Sequence, residues 1–184
     1  NGIIVDPGIA GNYVDQPATI TGDFTGTADE DTTITGTINA DDVDGLTDQT
    51  YFTISAAAAN GNASIDVETG AWSYTPNTNF NGVDQFTVTV TDDLGGTTTQ
   101  VVSLTVNAVD DSPVITGPSG SPGSSTSSKS INENGTDVHT FTATDVDTDN
   151  SILTWTTEGG ADNDKFSLST EGVLTFISFP DFEI

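Results

Sequence analysis

Gln85-Phe86-Thr87-Val88-Thr89-Val90-Thr91 alternates polar and apolar side chains without a break. A strand points successive side chains to opposite faces, so Phe86, Val88 and Val90 share one face and the threonines the other. Asp92-Asp93-Leu94-Gly95-Gly96 then supplies turn residues, and Thr97 to Val106 returns with Val102, Leu104 and Val106 inward. Together these read as a long hairpin with one buried face. Working outward, the alternation recurs in shorter pieces: Thr32 to Asn39 with Ile34 and Ile38, Tyr51 to Ile54, Asn62 to Val67, and Ala71-Trp72-Ser73-Tyr74 after a hairpin-type turn at Glu68-Thr69-Gly70. About seven short strands with turn signals every roughly 8–12 residues is the pattern of an all-β sandwich. Gly, Thr, Asn and Asp are abundant and long helical patterns are missing, which agrees.

The chain repeats itself. Val14-Asp15-Gln16-Pro17 is echoed by Val109-Asp110-Asp111-Ser112-Pro113, and Thr69-Gly70-Ala71-Trp72-Ser73-Tyr74 by Glu171-Gly172-Val173-Leu174-Thr175-Phe176. Ala40-Asp41-Asp42-Val43-Asp44 and Ala143-Thr144-Asp145-Val146-Asp147 each close a Thr-rich alternating segment. Asp-x-Asp at a strand end puts two carboxylates on one side of extended chain. Its recurrence at the same place in two units points to a periodic site for a hard cation, which takes about six to eight oxygens from flexible turns. Carboxylates gathered without a cation repel one another. The spacing from Pro17 to Pro113 implies a unit of roughly a hundred residues, the size of one sandwich.

On this reading residues 1–16 are the tail and linker of a preceding unit, 17–109 a first sandwich, 110–113 a linker, and 114–184 a second sandwich lacking its last strands. Gly117 to Ser130 is a Gly/Ser/Pro-rich insertion, read as a loop or hinge. The chain is expected to be a segment of something longer. Either truncation removed the last hairpin of the second unit, or a strand from another chain fills the gap by β-augmentation.

Composition narrows the function classes. Twenty-eight acidic residues stand against two lysines, for a formal charge of −26. So large a charge self-repels unless cations offset it, and it argues against nucleic acid and anionic membrane surfaces, which need Lys and Arg. With 0 cysteines there is no disulfide framework or thiolate site. No apolar stretch is long enough for membrane insertion and no signal peptide opens the chain.

The motifs together resemble the cadherin-like repeats of large bacterial surface and secreted proteins, including the VCBS type. In the first unit they are Asn39 to Gly45, Gly70 to Pro76, Asn79-Phe80-Asn81-Gly82-Val83-Asp84-Gln85-Phe86 and Thr91 to Gly96; the linker is Asn107 to Pro113. In the second they are Ile131-Asn132-Glu133-Asn134, Ala143 to Asp147 and Pro180-Asp181-Phe182-Glu183. The resemblance covers roughly residues 15 to 184. It implies tandem antiparallel Greek-key β-sandwiches of cadherin or immunoglobulin type, the second incomplete, with Ca2+ held where successive domains meet. The joint at 110–113 would draw on Glu30, Asp110, Asp111, Asp145 and Asp147. The joint before the first unit would use Asp15, Asp42, Asp44 and Asp92, and Glu133, Asp181 and Glu183 would serve a following one. Where the second unit has Asp181-Phe182-Glu183 the first has Asn79-Phe80-Asn81, poorer calcium ligands, with Asp84 the acid that could compensate.

The implied role is a calcium-rigidified, non-catalytic spacer and adhesion module of an extracellular bacterial protein, active in cell–cell, cell–surface or biofilm contact. Its partners would be other repeats of the same protein, homophilic copies or cell-surface glycans. Two alternatives remain: an accessory polysaccharide-binding module of a secreted enzyme, with Trp72 or Trp155 as sugar platforms, and a filament subunit assembled by strand exchange. Both tryptophans fall at inward-looking strand positions and read first as core. The single histidine, His139, reads as a strand-surface residue, and no nucleophile elbow or phosphate loop is present. Asp23, Asp48, Asp66, Glu68, Glu158, Asp162 and Asp164 read as solvated surface, and Asp149-Asn150 as either a loop extension or a turn.

Overall fold

The computed structural model describes residues 14–43, 45–47, 51–147 and 152–181. Two units emerge, Asn1–Val109 and Asp110–Ile184.

Unit 1 holds β1 (Thr19–Gly22), β2 (Thr25–Asp29), β3 (Ile34–Asp41), β4 (Phe52–Ala56), β5 (Gly61–Ile65), β6 (Ala71–Pro76), β7 (Gly82–Thr91) and β8 (Thr97–Asn107). They form two four-stranded sheets, ordered β1-β3-β6-β5 and β2-β8-β7-β4. The hairpin expected around Gln85 is the longest pairing, running from Gly82↔Val106 to Thr91↔Thr97. Its inward residues Phe86, Val88, Val90, Val102, Leu104 and Val106 meet Ile34, Ile38, Trp72 and Tyr74 of the other sheet and Phe52 of β4 in one core. Each such side chain withdrawn from water contributes about 1.5–3 kcal/mol before chain entropy is counted. Trp72 sets its ring edge-on to Phe86, centroids 5.6 Å apart, and its Nε1–H donates to Asp23 O at 3.1 Å. One pairing departs from a wholly antiparallel sandwich: β2 runs parallel to β8, from Thr25↔Ser103 to Asp29↔Asn107. The end of β2 therefore lies at the C-terminal end of β8, while the β7–β8 turn lies at its N-terminal end.

Unit 2 holds β9 (Val114–Thr116), β10 (Asp137–Thr140), β11 (Thr142–Thr144), β12 (Phe166–Leu168) and β13 (Val173–Phe176). The order β10-β13-β12 matches β3-β6-β5, and β9 on β11 matches β1 on β3, so unit 2 repeats the first sheet of unit 1. The repeated Thr-Gly and Glu-Gly steps behave alike. Gly70 and Gly172 are buried at φ +67° and +82°, and each carbonyl accepts from the facing chain, from Ile38 N–H in β3 and from Phe141 N–H between β10 and β11 respectively. Only glycine takes that backbone cheaply.

Trp155 differs from expectation, because residues 153–160 form no strand. In unit 1 the corresponding strand, β4, pairs only with β7, and β2 pairs only with β8. Unit 2 has no counterparts of β7 and β8 among its described residues, and extended chain without a ladder partner is not a strand. Trp155 is instead half-buried, its ring stacked on Phe141 at 5.9 Å. Among the described residues, the buried hydrophobic core belongs to unit 1 alone.

Candidate cation sites at the strand ends

One end of unit 1 carries three of the acids expected to act together. The pairing Thr19↔Asp41 brings the residues ahead of β1 to the end of β3. Asp93 N–H donates to Gly45 O at 3.2 Å, joining the loop after β3 to the β7–β8 turn. Asp15, Asp42 and Asp92 thus share this end. Asp92 is 4 % exposed. Its Oδ1 accepts Leu94 N–H and Gly96 N–H, both at 2.9 Å, while Oδ2 is shut off from solvent with no hydrogen-bond donor. Carboxylate oxygens of both Asp15 and Asp92 occupy the space that a side chain at Gly96 would enter. Asp42 Oδ1 accepts Gly45 N–H at 3.2 Å. Asp93, not singled out from the sequence, holds the neighbouring loop through Thr47, accepting its N–H at 2.8 Å and its hydroxyl at 2.7 Å.

The opposite end carries Glu30, 6 % exposed. Glu30 Oε1 accepts Val109 N–H at 2.6 Å; Oε2 is buried with no donor. Burying a carboxylate oxygen with nothing to satisfy it costs several kcal/mol by general estimate. At both ends of β8 the structure therefore leaves an oxygen whose natural partner is a hard cation, and the donor set, all oxygen, suits calcium rather than a softer metal. Beside Glu30, Asp31 adopts the left-handed backbone at φ 57° and its Oδ1 accepts Asn79 N–H at 3.1 Å.

In unit 2, Asp147 Oδ2 accepts Asp111 N–H at 2.6 Å and Asp145 Oδ1 accepts Asp147 N–H at 3.0 Å, so these three expected ligands are neighbours. Asp110 is exposed. Glu133 is exposed, and the adjacent Asn134 N–H donates to Pro180 O at 3.3 Å, setting the Glu133 turn beside the Pro180-Asp181 segment. Asn134 repeats the left-handed backbone of Asp31, at φ 60°. Asp44 and Glu183, like Asp48 and Asp149-Asn150, lie outside the described residues. Among the described residues, no three acidic or histidine side chains form a metal cluster.

Asp84 does not stand by to replace Asn79 or Asn81 as a ligand. Its Oδ1 accepts Ala59 N–H at 3.1 Å and Gln85 N–H at 2.8 Å; its Oδ2 accepts Asn60 N–H at 2.8 Å and the Tyr74 hydroxyl at 2.9 Å. Burial pushes its pKa up, but the Asn60, Ala59 and Gln85 N–H groups and Tyr74 outweigh this and hold it below the usual carboxylate range. Burial, then the bond to Asp84 and its charge, drive the Tyr74 hydroxyl well above its ordinary value. The clue was in the sequence: Asp84 shares its strand face with Phe86, Val88 and Val90. Asp66 is exposed, as read, yet it shapes the β5–β6 turn. Its Oδ1 accepts the N–H and hydroxyl of Thr69, both at 2.8 Å, and its carboxyl is held below the usual range by Thr69 and then Glu68. His139 is half-buried and edge-on to Phe141 at 5.1 Å. No described helix is long and apolar enough to cross a membrane.

Among solved structures, human CDH23 EC21–23 is 20 % identical with a TM-score of 0.52, over 92 % of this chain and 56 % of that one. Mouse Cadherin-23 EC22–24 is 19 % identical with a TM-score of 0.47, over 91 % and 56 %. Protocadherin Gamma B2 extracellular cadherin domains 3–6 are 18 % identical with a TM-score of 0.43, over 94 % and 46 %. The chain spans about half the length of these structures, and likeness at that identity speaks to fold alone. No curated protein matches. The sequence profile of the bacterial cadherin-like domain matches residues 15–108. With its sandwich architecture, this match makes the chain a member of the bacterial cadherin-like domain family.

Proposed function

We propose that this chain is a calcium-rigidified spacer and adhesion module of a large extracellular bacterial protein, with no catalytic role. The observation that carries the reading is the pair of buried, donor-less oxygens, Asp92 Oδ2 and Glu30 Oε2, at opposite ends of β8. Calcium would be held at one end by Asp15, Asp42, Asp44 and Asp92, and at the 110–113 linker by Glu30, Asp110, Asp111, Asp145 and Asp147. Glu133, Asp181 and Glu183 would serve a further joint. The ion supplies positive charge that cancels carboxylate repulsion and fixes the turns carrying those carboxylates. Because the ion binds the ordered turns and not the unfolded chain, it stabilises by mass action. Contact with other repeats or with copies on a facing cell would follow from the stiffened array. Thermal unfolding in millimolar calcium and in chelator is the test: superimposable curves would sink the reading. The glycan-binding alternative is weakened by Trp72, which at 2 % exposure cannot stack on a sugar.

A further inference from the structure

Gly96 ends the turn between β7 and β8, and its Cα faces two acids. A methyl carbon built there would stand 2.4 Å from Asp92 Oδ2, 2.7 Å from Asp15 Oδ2 and 3.1 Å from Asp15 Oδ1. Carbon does not approach non-bonded atoms that closely; optimal contacts lie near 3.5–4.0 Å. Any side chain at position 96 would therefore displace a carboxylate. Asp92 has little room to yield, since its Oδ1 is fixed by Leu94 N–H and Gly96 N–H and its side chain is buried. Asp15 comes from the segment ahead of β1, far along the chain from the turn. The two Oδ2 atoms lie within 2.7 Å of one point, hence no more than about 5 Å apart. A single calcium ion spans such a separation, with oxygens at about 2.3–2.6 Å. Asp92 Oδ2, buried and donor-less, is independently in need of a positive partner.

We propose that Gly96 is a positioning residue for a divalent cation shared by Asp15 and Asp92, and that this cation fastens the segment ahead of β1 to the β7–β8 turn within unit 1. The proposal rests on the calcium reading above and adds that residue 96 must lack a side chain for the site to form. Gly96 is not one of the glycines with positive φ. Alanine is therefore tolerated by its backbone, and the substitution probes the space beside the carboxylates rather than the turn.

The test is a calcium titration of the full 184-residue chain, followed at individual backbone amides by NMR. In the unsubstituted protein the Leu94 amide should shift saturably with calcium. Gly96→Ala should raise the apparent Kd at Leu94 by about ten-fold or more, leave the titrations at the Asp111 and Asp147 amides unmoved, and leave the chain folded in chelator. Asp15→Asn should give the same loss, and the double variant no more than either single change, because both act on one ion. Unchanged affinity at Leu94 in Gly96→Ala, or losses that add in the double variant, would overturn the proposal and leave the calcium reading standing. A Gly96→Ala chain that unfolds in chelator would also overturn it, since the glycine would then serve the turn itself. A Leu94 amide indifferent to calcium in the unsubstituted protein would remove both.

Discussion

The Tyr74 hydroxyl donates a 2.9 Å hydrogen bond to Asp84 Oδ2, tying β6 of one sheet to β7 of the other through the interior of unit 1. The same carboxylate receives three backbone N–H groups, two of them from Ala59 and Asn60 in the β4–β5 connection. Asp84 thus fixes a loop, a strand and the facing sheet at once.

Tyr74→Phe removes one donor and leaves the carboxylate three others; it should cost about 1–2 kcal/mol in denaturant unfolding. Asp84→Asn puts an amide N–H2 against groups that are themselves donors, and should cost about 2–4 kcal/mol. Neither change should alter the calcium-dependent rise in melting temperature.

Acid should erase the contribution of Asp84. Its folded pKa lies below the unfolded value, near 3.9 for a free aspartate. The stabilisation is therefore complete above that value and disappears as pH falls through the folded pKa. The stability gap between the unsubstituted chain and Asp84→Asn, measured in chelator, should stay constant from pH 7 to about 4 and narrow below it. A gap that widened in acid would contradict this assignment.

Much of this was legible beforehand, and the reasons are local. The hairpin from Gly82 to Asn107 follows from strict alternation, which leaves one register that buries Phe86, Val88 and Val90. The grouping of Asp15, Asp42, Asp44 and Asp92 came from motif order, which says nothing about how close their carboxylates stand; that depends on the Thr19↔Asp41 pairing and on the loop bond from Asp93 N–H to Gly45 O. Asp84 was misjudged as a spare ligand because its four donors come from Ala59, Asn60, Tyr74 and its own neighbour Gln85, a combination no short motif encodes. Trp155 was misplaced because strand propensity alone cannot supply a ladder partner. The parallel pairing of β2 with β8 was hidden too, since alternation says nothing about strand direction.

Calcium should raise the melting temperature of the chain by about 5–10 °C at a concentration near one hundred times Kd. Asp92→Asn should remove a large part of that rise while changing stability in chelator far less than Asp84→Asn does. Scanning calorimetry of both variants with and without calcium separates the cation-facing acid from the structural one.

Trp72→Ala should cost about 3–5 kcal/mol, as expected for a large aromatic removed from a packed core. Any loss of glycan retention in that variant should track its loss of folded protein at each denaturant concentration. Retention lost from a fully folded Trp72→Ala chain would revive the sugar-binding alternative.

The parallel ladder between β2 and β8 has a mechanical consequence. Val109 leads directly out of β8, so tension applied there draws β8 along its own axis past β2. Every rung from Thr25↔Ser103 to Asp29↔Asn107 then resists sliding together, instead of opening one at a time as in a zipper. A fold that ends on such a pair is suited to bearing a pull along the chain.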